Sequence, residues 1–334
     1  MMINTSPKRR LIISRKRCKS LITKIKKEVT FYVIQYCNIC GSKENTILSV
    51  QDRYGLPIRT TLCDKCGLIY LIDRPDQHGY KLFYAKYYRL LVSAYWGSKV
   101  NNKQIVNHQI GFTEKLKVIL KGLIDFEQKK SLLDIGGSTG MIAYEFAQLY
   151  DLEATVLDPS EEELRIAESK GLETVCGFIE DYEPNHSFDI ILFLQTIDHV
   201  MDLKKTLKQI TSMLSDDGIF IVDTVNLPTV ITDQTNLVNY FKIDHCYYFT
   251  NEFARSLLES SGLKILYTDI ASWPGHSMFV CQKMGTFEPE NTRVDIRKVR
   301  ENFIQNIEYN FYLQNNWKDN IITLLARFKK RIIK

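Results

Sequence analysis

No apolar run in this chain approaches the roughly 20 residues that a helix needs to span a bilayer, which argues against an integral membrane protein. Behind the basic start MMINTSPKRR there is no long apolar stretch and no small-residue cleavage site, so the N-terminus does not read as a secretory signal. The expected address is the cytoplasm. Internal repeats and low-complexity tracts are missing too. So is a Gly-x-Gly-x-x-Gly run after the first strand, and this speaks against an NAD-dependent dehydrogenase. What remains is an ordinary globular composition: 334 residues, 45% hydrophobic and 25% charged. That is enough for one large α/β domain and a small module.

Charge is unevenly spread over the net +5. Residues 1–30 carry ten Lys and Arg against one Glu, and residues 321–334 carry five against none, which leaves 29 basic and 38 acidic residues between them. A basic head and tail on an acidic body suit contact with anionic lipid, nucleic acid or an anionic carrier. The plainer alternative is a solvated, partly disordered head and a surface helix. Five regions follow: a basic segment 1–30, a cysteine-bearing module 31–75, a Tyr-rich helical connector 76–125, an α/β domain 126–284 and a basic helical tail 285–334.

Within the α/β region, strand-length apolar runs occur at Leu132–Ile135, Ala154–Leu157, Thr174–Cys176, Ile190–Leu194, Ile219–Val222, Ile265–Tyr267 and Met278–Cys281. Helical periodicity fills most of the gaps, as at Met141–Tyr150, Glu161–Lys170, Leu203–Leu214 and Asn251–Ser260. Such alternation predicts βαβ units and a mostly parallel sheet. The last two runs are separated only by a loop, Asp269–Ser277, which predicts a terminal antiparallel hairpin.

The segment LLDIGGSTG joins the first strand to its helix. Gly136 and Gly140 permit a tight turn and close approach of a ligand. Asp134 at the strand end would repel a pyrophosphate but would accept a hydrogen bond from an ammonium group. That chemistry favours S-adenosylmethionine over NAD. Asp158, 24 residues on in VLDPS, ends the second strand where a carboxylate grips ribose hydroxyls. Its alternative role is as partner to the start of the next helix.

Cys37-x2-Cys40 and Cys63-x2-Cys66 are 22 residues apart. Two such turns present four thiolates to one tetrahedral ion, with no position left for water. The expected zinc is structural, and the module is expected to be a zinc ribbon.

With these motifs in register, residues 131–284 resemble a class I S-adenosylmethionine-dependent methyltransferase. LLDIGGSTG matches the family's acid-x-Gly-x-x-x-Gly motif and VLDPS its second-strand acid. FDIILFLQTIDHVMDL matches its fourth-strand segment, and LSDDGIFIVD matches the approach to strand five. The resemblance implies a Rossmann-like seven-stranded sheet in the order 3-2-1-4-5-7-6, with strand seven antiparallel. It also implies an adenine slot near Phe178 and Ile179, and a cofactor contact at Gln195. Ser138 stands where many members have glycine, and Phe178 follows Gly177 where many have an aspartate.

The order of cysteine module, Tyr-rich segment and methyltransferase domain resembles a group of bacterial sugar methyltransferases. The residues that carry this likeness are CGLIYLIDRP, FYAKYYRLL and KIDHCYYFT. In the last, His245 keeps the group's histidine, Asp244 replaces a glutamate and Lys242 a tyrosine. The likeness implies a small-molecule or glycan acceptor in surface-polysaccharide synthesis. His245 with Asp244 would be a general-base pair, Lys242 a phosphate contact, and Tyr84, Tyr87 and Tyr88 the wall of an acceptor pocket. His199 in TIDHV either faces the mouth of the site or starts a helix capped by Asp198. His276 is expected in a surface loop.

An RNA methyltransferase would use the zinc module and the basic ends, but residues 37–75 hold five basic residues against four acids, a poor footprint for RNA. A non-catalytic binding protein would have a degenerate loop, whereas Asp134, Gly136, Gly140 and Asp158 are intact. The tail IITLLARFKKRIIK, with an apolar stripe and five cations, fits either an anionic membrane surface or the body of the protein.

Overall fold

A computed structural model describes residues 7–227, 237–270, 272 and 275–284. The expected tail 285–334 therefore lies outside the described residues.

The basic head is α1 (Pro7–Glu28). Rather than standing in solvent, it buries Cys18 and Ile25 against the body. Two of its cations serve as caps. Arg15 donates to the carbonyls of Asp52 and Arg53, and Arg17 donates to those of Ala94 and Tyr95. The short strands β1 (Phe31–Val33), β2 (Asn45–Ser49), β3 (Thr60–Cys63), β4 (Ile69–Leu71) and β5 (Asp73–Pro75) follow. The Tyr-rich connector is helical, as its periodicity predicts. It comprises α2 (Gln77–Leu82), capped by Asp76, then a π-helical turn at Phe83–Tyr87 and α3 (Tyr88–Trp96). Next, α4 (Asn102–Leu120) opens on a reciprocal capping box between Asn101 and Gln104.

The α/β part continues with β6 (Ser131–Ile135), α5 (Met141–Tyr150), β7 (Glu153–Asp158), α6 (Glu161–Glu168), β8 (Glu173–Cys176), β9 (Phe188–Phe193), α7 (Leu203–Met213) and β10 (Leu214–Val225). It closes with β11 (Tyr247–Tyr248), α8 (Asn251–Glu259), β12 (Leu263–Asp269) and β13 (His276–Lys283). Seven strands form one sheet in the order β12-β13-β10-β9-β6-β7-β8. Numbered along the chain, this is 3-2-1-4-5-7-6. β13 runs antiparallel to both neighbours, and the hairpin it forms with β12 is the one expected from the loop between them. The central strands are buried on both faces, as their unbroken apolar runs require.

Two cores flank this sheet. Phe112, Leu116 and Leu120 of α4 pack with Ile142 and Phe146 of α5 in one of them. Thus α4, placed in the connector by its sequence position, shares a core with the α/β sheet. The second core is continuous from the cysteine module into the sheet, and joins Cys37 and Cys63 with Leu133 and Ile191. The reason is β11. It pairs antiparallel with β4 and completes a four-stranded sheet in the order β11-β4-β3-β2. A segment nearly 180 residues further along the chain thus supplies the edge strand of the N-terminal module. Among the described residues no helix is long and apolar enough to cross a membrane.

Candidate active site

The loop after β6 is shaped by backbone geometry. Gly136 and Gly140 have φ near +70°, and Ser138 adopts φ 55°, a left-handed conformation uncommon for a residue with a side chain. At Gly136 an added Cβ would collide with Thr196, and at Gly137 it would lie 2.6 Å from Asp134 Oδ2. The loop therefore brings bare backbone against Thr196 and the Asp134 carboxylate. Asp158 accepts the backbone N–H of Ser138 (2.9 Å) and of Ser160 (2.8 Å), so it ties the loop to the start of α6. Asp134 Oδ2 is buried without a hydrogen-bond partner among the described residues.

Burial, together with the charge of Asp158, pushes the Asp134 carboxyl up to about 7. Burial pushes Asp158 up to about 6, partly opposed by its two N–H donors. An orphaned carboxylate oxygen beside a glycine-lined cradle is what the ammonium of an amino-acid moiety would satisfy. Asp158 keeps lone pairs free for ribose hydroxyls. The residues present therefore fit S-adenosylmethionine.

The pKa shifts set a pH dependence. Both folded-state values lie above the roughly 3.9 of an unfolded aspartate. In the empty site these groups contribute stability at low pH, and it is lost as pH rises through about 6 and 7. A cationic ligand favours the ionised form, so its binding releases protons in that window. Affinity for S-adenosylhomocysteine is expected to fall by about tenfold per pH unit on the acid side of the window. Calorimetry in two buffers of different ionisation enthalpy checks this. An affinity flat from pH 5.5 to 7.5 would refute it.

The cavity above the loop is about 310 Å³, within the range of small-molecule sites. Asp134, Gly136, Asp158, Phe178, Ile179 and Gln195, all expected at the cofactor, line it. Gln195 also has a left-handed backbone (φ 53°), with its N–H 2.5 Å from Asp223 Oδ1. Sequence reasoning missed Gln109 of α4. Its side chain donates to the Gly137 carbonyl (2.9 Å) and accepts from the Thr139 hydroxyl (2.5 Å), which clamps the loop from the far side. It missed Glu163 as well, which holds the Ser138 hydroxyl and pairs with Arg89 of α3. No local pattern marks either one.

On the opposite wall the tyrosines are Tyr80, Tyr84 and Tyr88, rather than the expected Tyr84, Tyr87 and Tyr88. Spacing by four puts those three on one face of a helical run. Tyr87 points away, and Lys86 lies over its ring. His199 lines the cavity and hydrogen-bonds the Tyr84 hydroxyl through Nδ1 at 2.8 Å. It does not start a helix, because α7 is capped by Asp202. Asp198 is a different kind of residue from the expected cap. It is buried, with its Oδ2 2.5 Å from His245 Nδ1 and its Oδ1 3.8 Å from His199 Nε2.

The expected Asp244–His245 pair is looser: Asp244 Oδ2 is 3.6 Å from His245 Nε2 and also 3.6 Å from Lys242 Nζ. The carboxylate closest to His245 is thus Asp198, not its sequence neighbour. His245 and Lys242 lie outside the cavity lining, with the His245 ring 4.7 Å behind that of His199. His276 is not in a loop but begins β13, 2.8 Å from Asp223.

The four cysteines converge. Cys37 and Cys66 Sγ are 3.5 Å apart, as are Cys40 and Cys63, and all four sulfurs lie within 4.8 Å of one another. A tetrahedral ion with bonds of about 2.3 Å needs sulfurs roughly 3.8 Å apart, so the donor set fits zinc. The module that carries this cluster is tied through Asp52 to the segment before β11. Asp52 accepts the N–H groups of Tyr54, Gly55 and Leu56 through Oδ1 and that of Ile243 through Oδ2.

A seven-stranded α/β sheet with a glycine loop between two buried carboxylates defines the class of the domain. Residues 109–268 match the family model described as a methyltransferase domain. Over 101 residues the chain is 28% identical to a ubiquinone biosynthesis O-methyltransferase of Bradyrhizobium diazoefficiens, a match that covers 28% of this chain and 40% of that protein. It is 23% identical over 272 residues to the C-methyltransferase NovU of Streptomyces niveus, covering 74% of this chain and 60% of that one. The chain thus spans less than two thirds of the length of these relatives. Among solved structures, an S-adenosylmethionine-dependent methyltransferase from Listeria monocytogenes is similar at 16% identity and a TM-score of 0.44, over 51% of this chain and 98% of that one.

Proposed function

We propose that the protein transfers a methyl group from S-adenosylmethionine to a small acceptor, a sugar or glycan precursor, bound between the glycine loop and the tyrosine wall. The observation that carries this reading is the unpartnered Asp134 oxygen, held in a glycine cradle opposite Asp158. S-adenosylmethionine, when bound, supplies an electrophilic methyl group on a sulfonium. The chain's own residues do the rest. Asp134 holds the ammonium and Asp158 the ribose, and Phe178 and Ile179 offer adenine an apolar slot. Gln109 and Glu163 keep the loop in its strained shape.

Tyr84, Tyr88 and His199 place an acceptor across the cavity. Aromatic rings suit the apolar faces of a sugar, while their hydroxyls and the imidazole serve its oxygens. The cavity's volume supports a small acceptor, and the cysteine cluster supports a structural zinc that holds the module carrying β4. Lys242 and Asp244 stand behind this wall and shape it through His245.

Calorimetric titration of the zinc-replete protein with S-adenosylhomocysteine tests the reading. Micromolar binding is expected, weakened at least tenfold by Asp158→Ala. A folded wild-type protein that binds nothing would overturn it.

A further inference from the structure

Behind the tyrosine wall, three side chains converge from two distant parts of the chain. Asp198 and His199 come from the turn after β9, and His245 comes from the segment before β11. One ligand-type atom from each lies within 4.8 Å of the other two. Asp198 is buried, with Oδ2 2.5 Å from His245 Nδ1 and Oδ1 3.8 Å from His199 Nε2. A carboxylate buried between two imidazoles, cut off from water, is a donor set that a cation can share.

We propose that Asp198, His199 and His245 form a divalent-cation site whose open side faces the cavity. Two imidazoles and one carboxylate are the donor set of manganese, iron, cobalt or zinc rather than of calcium or magnesium. With bonds of about 2.1 Å, neighbouring ligand atoms sit roughly 3.0–3.4 Å apart. The 3.8 Å between His199 Nε2 and Asp198 Oδ1 closes slightly to meet this, and the Asp198–His245 contact opens by roughly half an ångström.

The supporting groups are those that metal-binding histidines use. Tyr84 hydrogen-bonds His199 Nδ1, which turns Nε2 towards Asp198. Asp244 faces the remaining nitrogen of His245 from 3.6 Å. Lys242 lies beside Asp244 and leaves Asp198 as the nearest carboxylate to both rings. Because His199 lines the cavity, positions left open on the ion point at the acceptor. An acceptor with two adjacent oxygens, such as a vicinal diol or a hydroxyketone, would chelate there and be oriented towards the glycine loop. That acceptor role rests on the methyl-transfer reading, whereas the cation site does not.

Manganese is the probe of choice, since a four-thiolate zinc site has little affinity for so hard an ion. The full-length, zinc-replete protein is titrated with Mn²⁺ and free ion is followed by electron paramagnetic resonance. S-adenosylhomocysteine binding is measured on the same samples. One Mn²⁺ per chain is expected, with Kd below about 100 µM. His245→Gln and Asp198→Asn should each weaken it at least tenfold, while binding of S-adenosylhomocysteine stays at the wild-type level. His199→Gln, at a partly exposed position, should weaken Mn²⁺ binding likewise and covers the case in which a buried variant fails to fold.

No Mn²⁺ binding by protein that binds S-adenosylhomocysteine would overturn the proposal, as would Mn²⁺ binding that His199→Gln leaves unchanged. Mn²⁺ binding sensitive to these substitutions in protein that binds no S-adenosylhomocysteine would uphold the site and overturn the methyl-transfer reading instead.

Discussion

Cys63→Ser is expected to abolish zinc binding at the proposed four-cysteine site and to destabilise the whole described chain by several kcal/mol, not merely loosen a surface module. Binding of zinc to four thiolates is worth on the order of 10 kcal/mol of folding free energy, and a serine hydroxyl is a poor replacement for a thiolate. Cys63 is fully buried, and the core that contains it runs into the central sheet through Leu133 and Ile191. Its strand β3 is paired with β4, and β4 carries β11. Loss of the knot therefore removes the support of the segment that holds Ile243 and His245. Metal content and urea unfolding check the prediction. It expects substoichiometric zinc and a single transition moved to lower denaturant. Two separable transitions, with the main one unmoved, would mean that the module unfolds alone.

Arg74→Ala is expected to cost roughly 3–5 kcal/mol, the range for emptying a large buried side chain. Arg74 is only 1% exposed. It lies on β5, beside β11 and the turn after β9, where Nη1 donates to the Met201 carbonyl (2.9 Å) and to the Tyr247 hydroxyl (3.3 Å), and the guanidinium lies over the Tyr247 ring. The Tyr247 hydroxyl donates to the same Met201 carbonyl at 2.7 Å. Met201 lines the cavity, and its N–H is held by Glu180. The substitution should therefore cut turnover with any acceptor more than it weakens S-adenosylhomocysteine binding, since Asp134 and Asp158 stand on other elements. Denaturant unfolding and calorimetry together check this. A loss below about 1 kcal/mol would show that Arg74 is not a linchpin.

Much of the α/β sheet was legible because its signals are local. Runs such as Ile190–Leu194 can be buried on both faces only as central strands, and the helical periods between them leave few other topologies. The glycine loop was legible for the same reason, since Gly136 and Gly140 act on the backbone of their own turn. The basic head was misleading: its ten cations suggested a solvated segment, yet Cys18 and Ile25 lie on an inward stripe and two arginines cap carbonyls of distant elements. Tyr80, not the expected Tyr87, lines the cavity with Tyr84 and Tyr88, because a spacing of four selects one helical face. Asp198 reads as a helix cap because an aspartate before an apolar run often is one; here the run begins later, behind Asp202.

The sequence by itself determined what neighbouring residues can do together: two carboxylates at strand ends, a loop that tolerates left-handed backbone, and two cysteine pairs spaced for one ion. Only the tertiary structure decided which distant groups meet. It set Asp198 rather than Asp244 closest to His245, placed Gln109 across the glycine loop, and gave the cysteine module its last strand from residues 247–248. The physical reason is that spacing along the chain governs contacts within a few residues. Contacts across 30 to 200 residues are chosen by packing, where a two-residue edge strand or a single buried glutamine leaves no periodic trace in the sequence.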